Sequence, residues 1–269
     1  MNRMQNLFKP LRTLLTALLM AAFVSGCGSG GGGGSDPGPA GPSPSLGAAA
    51  TYGIFVGNDA ALNLAVNALV VGNVGLMNGL GTCVNCTGLT VTRAIENGTP
   101  AAIAAKAALE AAYTDASIRA TNACTLANAS QLANAQGACV GLTPGTPGPI
   151  YGPGLYRSAN PIGFAGTITL DAGGNSNAVF IFRTDAAITT QPNSTVILAN
   201  GAQARNVWWI AGSAATLGLS STFKGTVVAT ADVTVGVGST VGAPTRVNGR
   251  VFSRTAAATV GAFTTVTVP

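Results

Sequence analysis

The residue types that most often carry chemistry are sparse in this 269-residue chain. It contains no histidine, and its eight acids are scattered rather than paired. Asp59, Asp171 and Asp185 sit in turn-like stretches, Asp171 directly before Ala-Gly-Gly. General acid–base catalysis calls for histidine or a tuned carboxylate pair, and no serine here has an evident base to activate it. The glycine run Gly28–Gly34 opens no strand–helix unit, so it is not a phosphate loop. No enzyme activity, catalytic residue, cofactor or metal site is expected. Cysteine is the one reactive type present in number. Cys83, Cys86, Cys124 and Cys139 are an even set, which in an exported chain favours disulfides. Three pairings are possible, with Cys124 to Cys139 the first choice. Cys83-Val-Asn-Cys86 has a redox or zinc spacing, but without histidine or a thioredoxin-like context a structural role is expected.

What the spacing does offer is threonine. From 189 to 195, 216 to 222, 234 to 240 and 259 to 265 the step from Thr to Thr is the same. Around these positions three kinds of short strand recur in fixed order. The first is apolar but for Thr226, Arg250 and Ser253: Ala178–Phe182, Val207–Ile210, Thr226–Ala229 and Arg250–Ser253. The second follows it: Ala186–Thr189, Ala214–Leu217, Asp232–Val235 and Ala257–Val260. The third centres on Thr195, Thr222, Thr240 and Thr265. Three strands per unit mean a coil with three sides, each coil burying a core that none could bury alone. The expected fold is mainly β, a triangular parallel β-helix, with corner loops at Asn200–Ala204 and Gly242–Thr245.

Alternation along strands then assigns directions. On the second side Ile188, Leu217, Val233, Val235 and Val260 point in. Ala187/Thr189, Ala214/Thr216, Asp232/Thr234 and Ala257/Thr259 point out. On the third side Val196, Phe223, Val241 and Val266 point in. Thr167/Thr169, Thr195/Ile197, Thr222/Lys224, Thr240/Gly242 and Thr265/Thr267 point out. The first side is apolar on both faces and must be covered. One long helix fits that task, over about 100–119. Thr99-Pro100 opens it with a capping residue and a proline suited to the first turn, and its body is alanine-rich. Ile103, Leu109, Ala112, Tyr113 and Ala116 form its apolar stripe, with Lys106/Glu110 and Asp115/Arg119 as pairs on the solvent side. Trp208, Phe180, Phe182 and Phe252 are expected beneath it. Residues 120–149 read as a possible cap, and 46–89 as further, less regular coils of the same solenoid.

Residues 1–26 read as a bacterial export signal: Arg3, Lys9 and Arg12 precede an apolar run from Leu14 to Val24. That run is short for a membrane span. The signal ends in Val-Ser-Gly-Cys27, which resembles a lipobox and implies a lipid on Cys27. Residues 27–45 then form a Gly/Pro/Ser-rich tether, and 46–269 one domain. Removing the signal leaves ten basic residues against eight acids, a net of +2. Only Arg246, Arg250 and Arg254 approach a basic cluster, and their spacing fits one rim of the coil, so no nucleic acid is expected. The expectation is an exported monomer, held to the cell envelope, at the outer membrane or cell surface, by its lipid alone.

Two uncovered sides carrying Thr, Ala and Gly at backbone-fixed spacing form a flat, stiff, uncharged array. Its methyl groups favour cage-like water while hydroxyls tether that cage, and such ordered water can merge with ice. The candidate residues are Ala187, Thr189, Ala214, Thr216, Thr234, Ala257 and Thr259. The alternative side offers Thr169, Thr195, Thr222, Thr240 and Thr265. Thr is also simply common at outward strand positions, so the reading rests on the row with Ala beside it and few charges rather than on any single Thr.

The chain resembles the ice-binding proteins of bacteria, fungi and algae that share a discontinuous β-solenoid, the DUF3494 type. The resemblance rests on Pro153-Gly-Leu-Tyr156, Thr167–Asp171, Asn177–Phe182, Asn200–Trp209, Ser213–Gly218, Phe223-Lys-Gly225 and Asn248–Val251, and covers about Leu46 to Val268. It implies a right-handed three-faced β-helix with one helix along a face, and adsorption to ice through a flat second face. The family's loose Thr-Ala/Gly-X-Thr pattern is echoed in Ser213–Thr216, Thr230–Val233 and Thr255–Ala258. The alternatives are a surface adhesion or structural domain that keeps the fold without ice activity, and, in reserve, a pectinase-type glycan-cleaving β-helix, for which the strands lack clustered aspartates or basic residues.

Overall fold

Short apolar strands that cannot fold alone are stacked here into one parallel solenoid. The computed structural model describes residues 40–58, 60–77, 83–84, 89–119, 124–126, 132 and 148–269. Every ladder between its named strands is parallel, arranged as one sheet covering the first and third sides and a separate sheet forming the second. On the first side the stack runs through Gly154–Ser158, Phe180–Thr184, Val207–Ala211, Thr226–Ala229 and Arg250–Ser253. It then continues into Tyr52–Val56, Asn73–Leu76 and Ile95–Asn97. The amino-terminal coils therefore sit on the last carboxyl-terminal coil, and the two halves of the chain share one solenoid.

This order leaves a gap in the path, and the helix closes it. Pro100–Ile118 follows the strand at one end of the stack and precedes Cys124–Thr125 at the other. Nineteen residues at ~1.5 Å each give about 28 Å of travel, the scale of six coils at ~4.8 Å. Thr99 caps it, its Oγ accepting from Ala102 N at 3.2 Å.

The helix lies on the first side, as its apolar cover. It buries Ala102, Ala105, Leu109, Ala112 and Ala116 against Leu155, Ile181, Trp208, Ile210, Val228, Phe252 and Phe55. Leu109, Ala112 and Ala116 are buried as expected and Tyr113 packs against them, but Ile103 is 51% exposed; Ala102 and Ala105 take its place, because alanine can pack closer to the coil than isoleucine. Trp208 and Phe252 lie beneath the helix as expected. Phe180 and Phe182 instead point into the coil. There Tyr156, Phe182 and Trp209 stack face to face, with centroids 4.8 Å and 4.3 Å apart. Phe223 and Phe164 flank Trp209. These rings follow the strand register, so each coil fixes the height of the next.

The charged pairs of the helix do not face solvent as expected. Lys106 and Arg119 side chains are only 18% and 16% exposed, because each reaches down to the coil or the leading segment. Lys106 Nζ donates to Glu110 and to Arg254 O, both at 2.6 Å. Arg254 spans Glu110 with its Nε and Nη2 and lies 3.6 Å over the Tyr113 ring. Arg119 binds Asp115 and the carbonyls of Ala40 and Pro42. Arg250 is buried with no carboxylate beside it among the described residues; its Nε and Nη2 donate to Ala50 O at 3.0 and 2.8 Å. Desolvation lowers its pKa to about 10. Arg246, Arg250 and Arg254 thus occupy three different settings and share no rim.

Candidate functional site

The second side is built from Ile162–Phe164, Ile188–Thr190, Ala215–Leu217, Val233–Val235, Ala258–Val260, Leu62–Leu64 and Cys83–Val84. Three-residue strands with apolar ends bury both ends and leave the middle residue outward, because successive side chains alternate. Ile188, Ala215, Leu217, Val233, Val235, Ala258 and Val260 are accordingly buried. The middle residues fall in one column: Thr189 opposite Thr216, Thr216 opposite Thr234, and Thr234 opposite Thr259. Gly163 continues this column at one end and Asn63 at the other. Asn63 Nδ2 donates to Thr259 Oγ at 3.4 Å.

A second column runs beside it, two residues earlier in each strand. Ala214, Asp232, Ala257 and Ala61 each present a carbonyl to the preceding coil, accepting from Ile188, Ala215, Val233 and Ala258 N at 2.9 to 3.2 Å. Ala187 accepts in the same way from Ile162 N. The seven residues expected to form the flat side, Ala187, Thr189, Ala214, Thr216, Thr234, Ala257 and Thr259, therefore share one surface in regular register. Adjacent coils lie ~4.8 Å apart and the two columns ~6.7 Å apart along the strands. On the other flank the coils close up: a Cβ on Gly261 would come 2.0 Å from Gly236 O, so that position admits no side chain.

Asp232 interrupts the alanine column. It is exposed, and its Oδ1 accepts from Ala257 N at 2.9 Å. The carboxylate is folded against the next coil, yet remains the one charge in these two columns among the described residues.

The third side is rougher. Thr167, Thr195 and Thr222 do align. The next coil, however, puts Arg246 opposite Thr222 and Thr265 opposite Arg246. Thr240 is not in this row. It lies in the corner before Thr245, bridged antiparallel to Ala243, and Val241, expected to point inward, is 80% exposed. The six-residue step fails here because Val237–Pro244 is an inserted corner and the strand resumes at Thr245. The parallel outward row reads Thr169, Ile197, then Lys224, Asn248 and Thr267. Thr169 is itself buried.

Asn63, Ala61 and Gly163 belong to the second side but escape a reading of the sequence. Leu62-Asn-Leu64 alternates as such a strand should, but its partner lies almost two hundred residues away, and no local spacing announces that pairing. Among the described residues no group of three His, Cys, Asp or Glu could hold a metal. Tyr151 is buried, which pushes its hydroxyl pKa up, and its OH donates to Leu132 O at 3.0 Å. Cys124 is in a disulfide. Cys27, Cys86 and Cys139 lie outside the described residues, as do the side chain of Cys83 and most of 120–149.

Comparison with known proteins places this geometry in context. A family model described as ice-binding-like matches residues 56–266. An ice-binding protein of Nostoc sp. (strain HG1) is 37% identical over 86 residues, 32% of either chain. One from Colwellia sp is 26% identical over 216 residues, 78% of this chain and 79% of that one. The crystal structure of an ice-binding protein from an Antarctic biological consortium superposes with a TM-score of 0.70 at 26% identity. That match covers 83% of this chain and 90% of the other. The matched stretches span only 32%, 12% and 39% of the Nostoc, Shewanella frigidimarina and Flavobacterium frigoris relatives.

Proposed function

The chain belongs to the ice-binding-like family, and from that premise we propose that it adsorbs to ice through the second side of its solenoid. The supporting observation is the column Thr189–Thr216–Thr234–Thr259, held in register beside Ala187, Ala214 and Ala257. Each methyl and hydroxyl contributes weakly. Their sum is favourable because the stacked coils, locked by the Tyr156–Phe182–Trp209 rings, hold the array in place before it meets the crystal. No side chain reacts. A single chain carries the whole surface, so the reading needs no partner subunit.

The third side is the weaker choice, since Arg246, Lys224 and Ile197 interrupt its threonines. Export and a lipid on Cys27 complete the reading, resting on the leader and the Val-Ser-Gly-Cys27 motif. Replacing Cys27 with serine then releases the protein from the envelope fraction. A second reading, a surface domain without ice activity, is favoured by Asp232, whose carboxylate needs water that ice would have to displace. An ice-recrystallisation assay on the chain from residue 27 separates the two. Grains that stay small support adsorption; grains that coarsen as in buffer leave only the second reading.

A further inference from the structure

The third side carries a charge pattern that contact with ice does not use. Lys224 and Arg246 project from neighbouring coils there, Arg246 exposed and Lys224 half-buried. Arg205 is exposed in the turn Ala204–Asn206 that leads from this side to the covered one. Arg93 is exposed in the corresponding bend beyond Thr90–Val91. None of these four cations is within ion-pair reach of a carboxylate among the described residues. Glu110 is engaged with Lys106 and Arg254, Asp115 with Arg119 and Asp185 with Arg157, while Glu96 accepts from Thr99 Oγ at 2.6 Å. Asp171, on the outermost coils of this side, accepts from Asn200 Nδ2 and from Gly173 N, both at 2.8 Å. Ile197, Leu69 and Val71 are partly exposed among the cations. The second side is thus neutral apart from Asp232, and the third is cationic with apolar residues between the charges.

The leading segment of the chain follows the same edge. Ser43 Oγ accepts from Trp208 Nε1 at 3.0 Å, and Ala50 O accepts from Arg250. Trp208 and Arg250 both lie in the row of the covered side that borders the third. Twelve residues, 28–39, separate Cys27 from Ala40. At ~3.5 Å per residue they reach at most about 45 Å. A lipid on Cys27 would therefore hold the domain within that reach of a bilayer, where even weak contacts are reinforced by the high effective concentration.

We propose that the third side docks on an anionic phospholipid bilayer, with Lys224, Arg246, Arg205 and Arg93 reaching its phosphates. Its orientation rests on the anchored reading above; its chemistry does not. The second side, across the corner that carries Asn193 and Ser220, is then turned away from the bilayer and left free.

The test uses the chain from residue 27 with Cys27→Ser, so that no lipid contributes. It is sedimented with phosphatidylglycerol vesicles and, separately, with phosphatidylcholine vesicles. Binding should favour the anionic vesicles and weaken as salt is raised. The double variant Lys224→Gln/Arg246→Gln should lower that partition about 25-fold, at roughly fivefold per cation. Its thermal midpoint and its ice-recrystallisation activity should be unchanged. Thr216→Tyr, aimed at the second side, should leave vesicle binding intact, so the two readings fail separately. Equal binding to both vesicles, or a double variant that binds as well as the parent, overturns the proposal. Retention on an acidic polysaccharide without any vesicle preference overturns it too.

Discussion

Glu110 is the carboxylate that ties the covering helix to the coil, and Glu110→Gln measures what that tie contributes. Its oxygens accept from Lys106 Nζ at 2.6 Å and from Arg254 Nε at 3.0 Å, with Arg254 Nη2 closer still. The side chains are 18% exposed for both cations and 32% for Glu110. A charge-assisted hydrogen bond is worth about 1.5–3 kcal/mol when shielded, and an exposed ion pair about 0–1. At this intermediate exposure the neutral amide should cost about 2 kcal/mol, because two cations are left facing each other across it. For a chain of this size that lowers the thermal midpoint by about 4–8 °C. The pH dependence carries a sign. Burial would raise the Glu110 pKa, but the hydrogen bonds and charges of Arg254 and Lys106 overcome it and hold it below the ordinary range. A lowered folded pKa means the contribution is complete above the unfolded value, near ~4.3, and is lost as pH falls through the folded one. Thermal melts of parent and variant should therefore differ at pH 7 and converge only once the pH has fallen through the lowered folded pKa. A double-mutant cycle with Arg254→Met isolates the pair. Equal midpoints at pH 7, or a cycle with no coupling, would refute the argument.

Two further substitutions probe the coil and its surface. Gly249→Ala would place a Cβ 1.8 Å from Gly225 O, backbone against backbone where the long strands turn from the third side to the first. Neither atom can yield without parting two coils, so a loss of about 3 kcal/mol or more is expected in thermal unfolding; an unchanged midpoint would show that the coils are not packed this closely. Asp232→Ala restores the alanine column at the cost of one exposed hydrogen bond to Ala257 N, about 1 kcal/mol. Ice-recrystallisation activity per mole should rise, and a fall would mean the carboxylate takes part in holding water.

The repeated strands were legible because each obeys a rule that needs no partner. Apolar runs such as Val207–Ala211 must be buried on both faces, and Ala215-Thr-Leu217 must alternate. Legibility ended wherever a contact between distant segments made the decision. Thr240 keeps the six-residue spacing, yet the chain spends Val237–Pro244 on a corner and gives the position in the row to Arg246. In Pro100–Ile118 nine of nineteen residues are alanine, so the sequence carries little preference for one face. The face was set instead by how closely Ala102, Ala105 and Ala112 approach the strands. Asn63 joined the second side through Thr259, a neighbour created only when the amino-terminal coils stack on the last carboxyl-terminal one.

The proposed contact with ice is the Thr column of the second side. It is tested most directly by thermal hysteresis and crystal habit for Thr216→Tyr beside Thr222→Tyr. Both residues project from neighbouring sides of the same coil, so both substitutions add the same bulk to the same scaffold. Loss of hysteresis and of crystal shaping in Thr216→Tyr, with both retained in Thr222→Tyr, is the predicted result. Retention in Thr216→Tyr, with loss in Thr222→Tyr, would contradict the account.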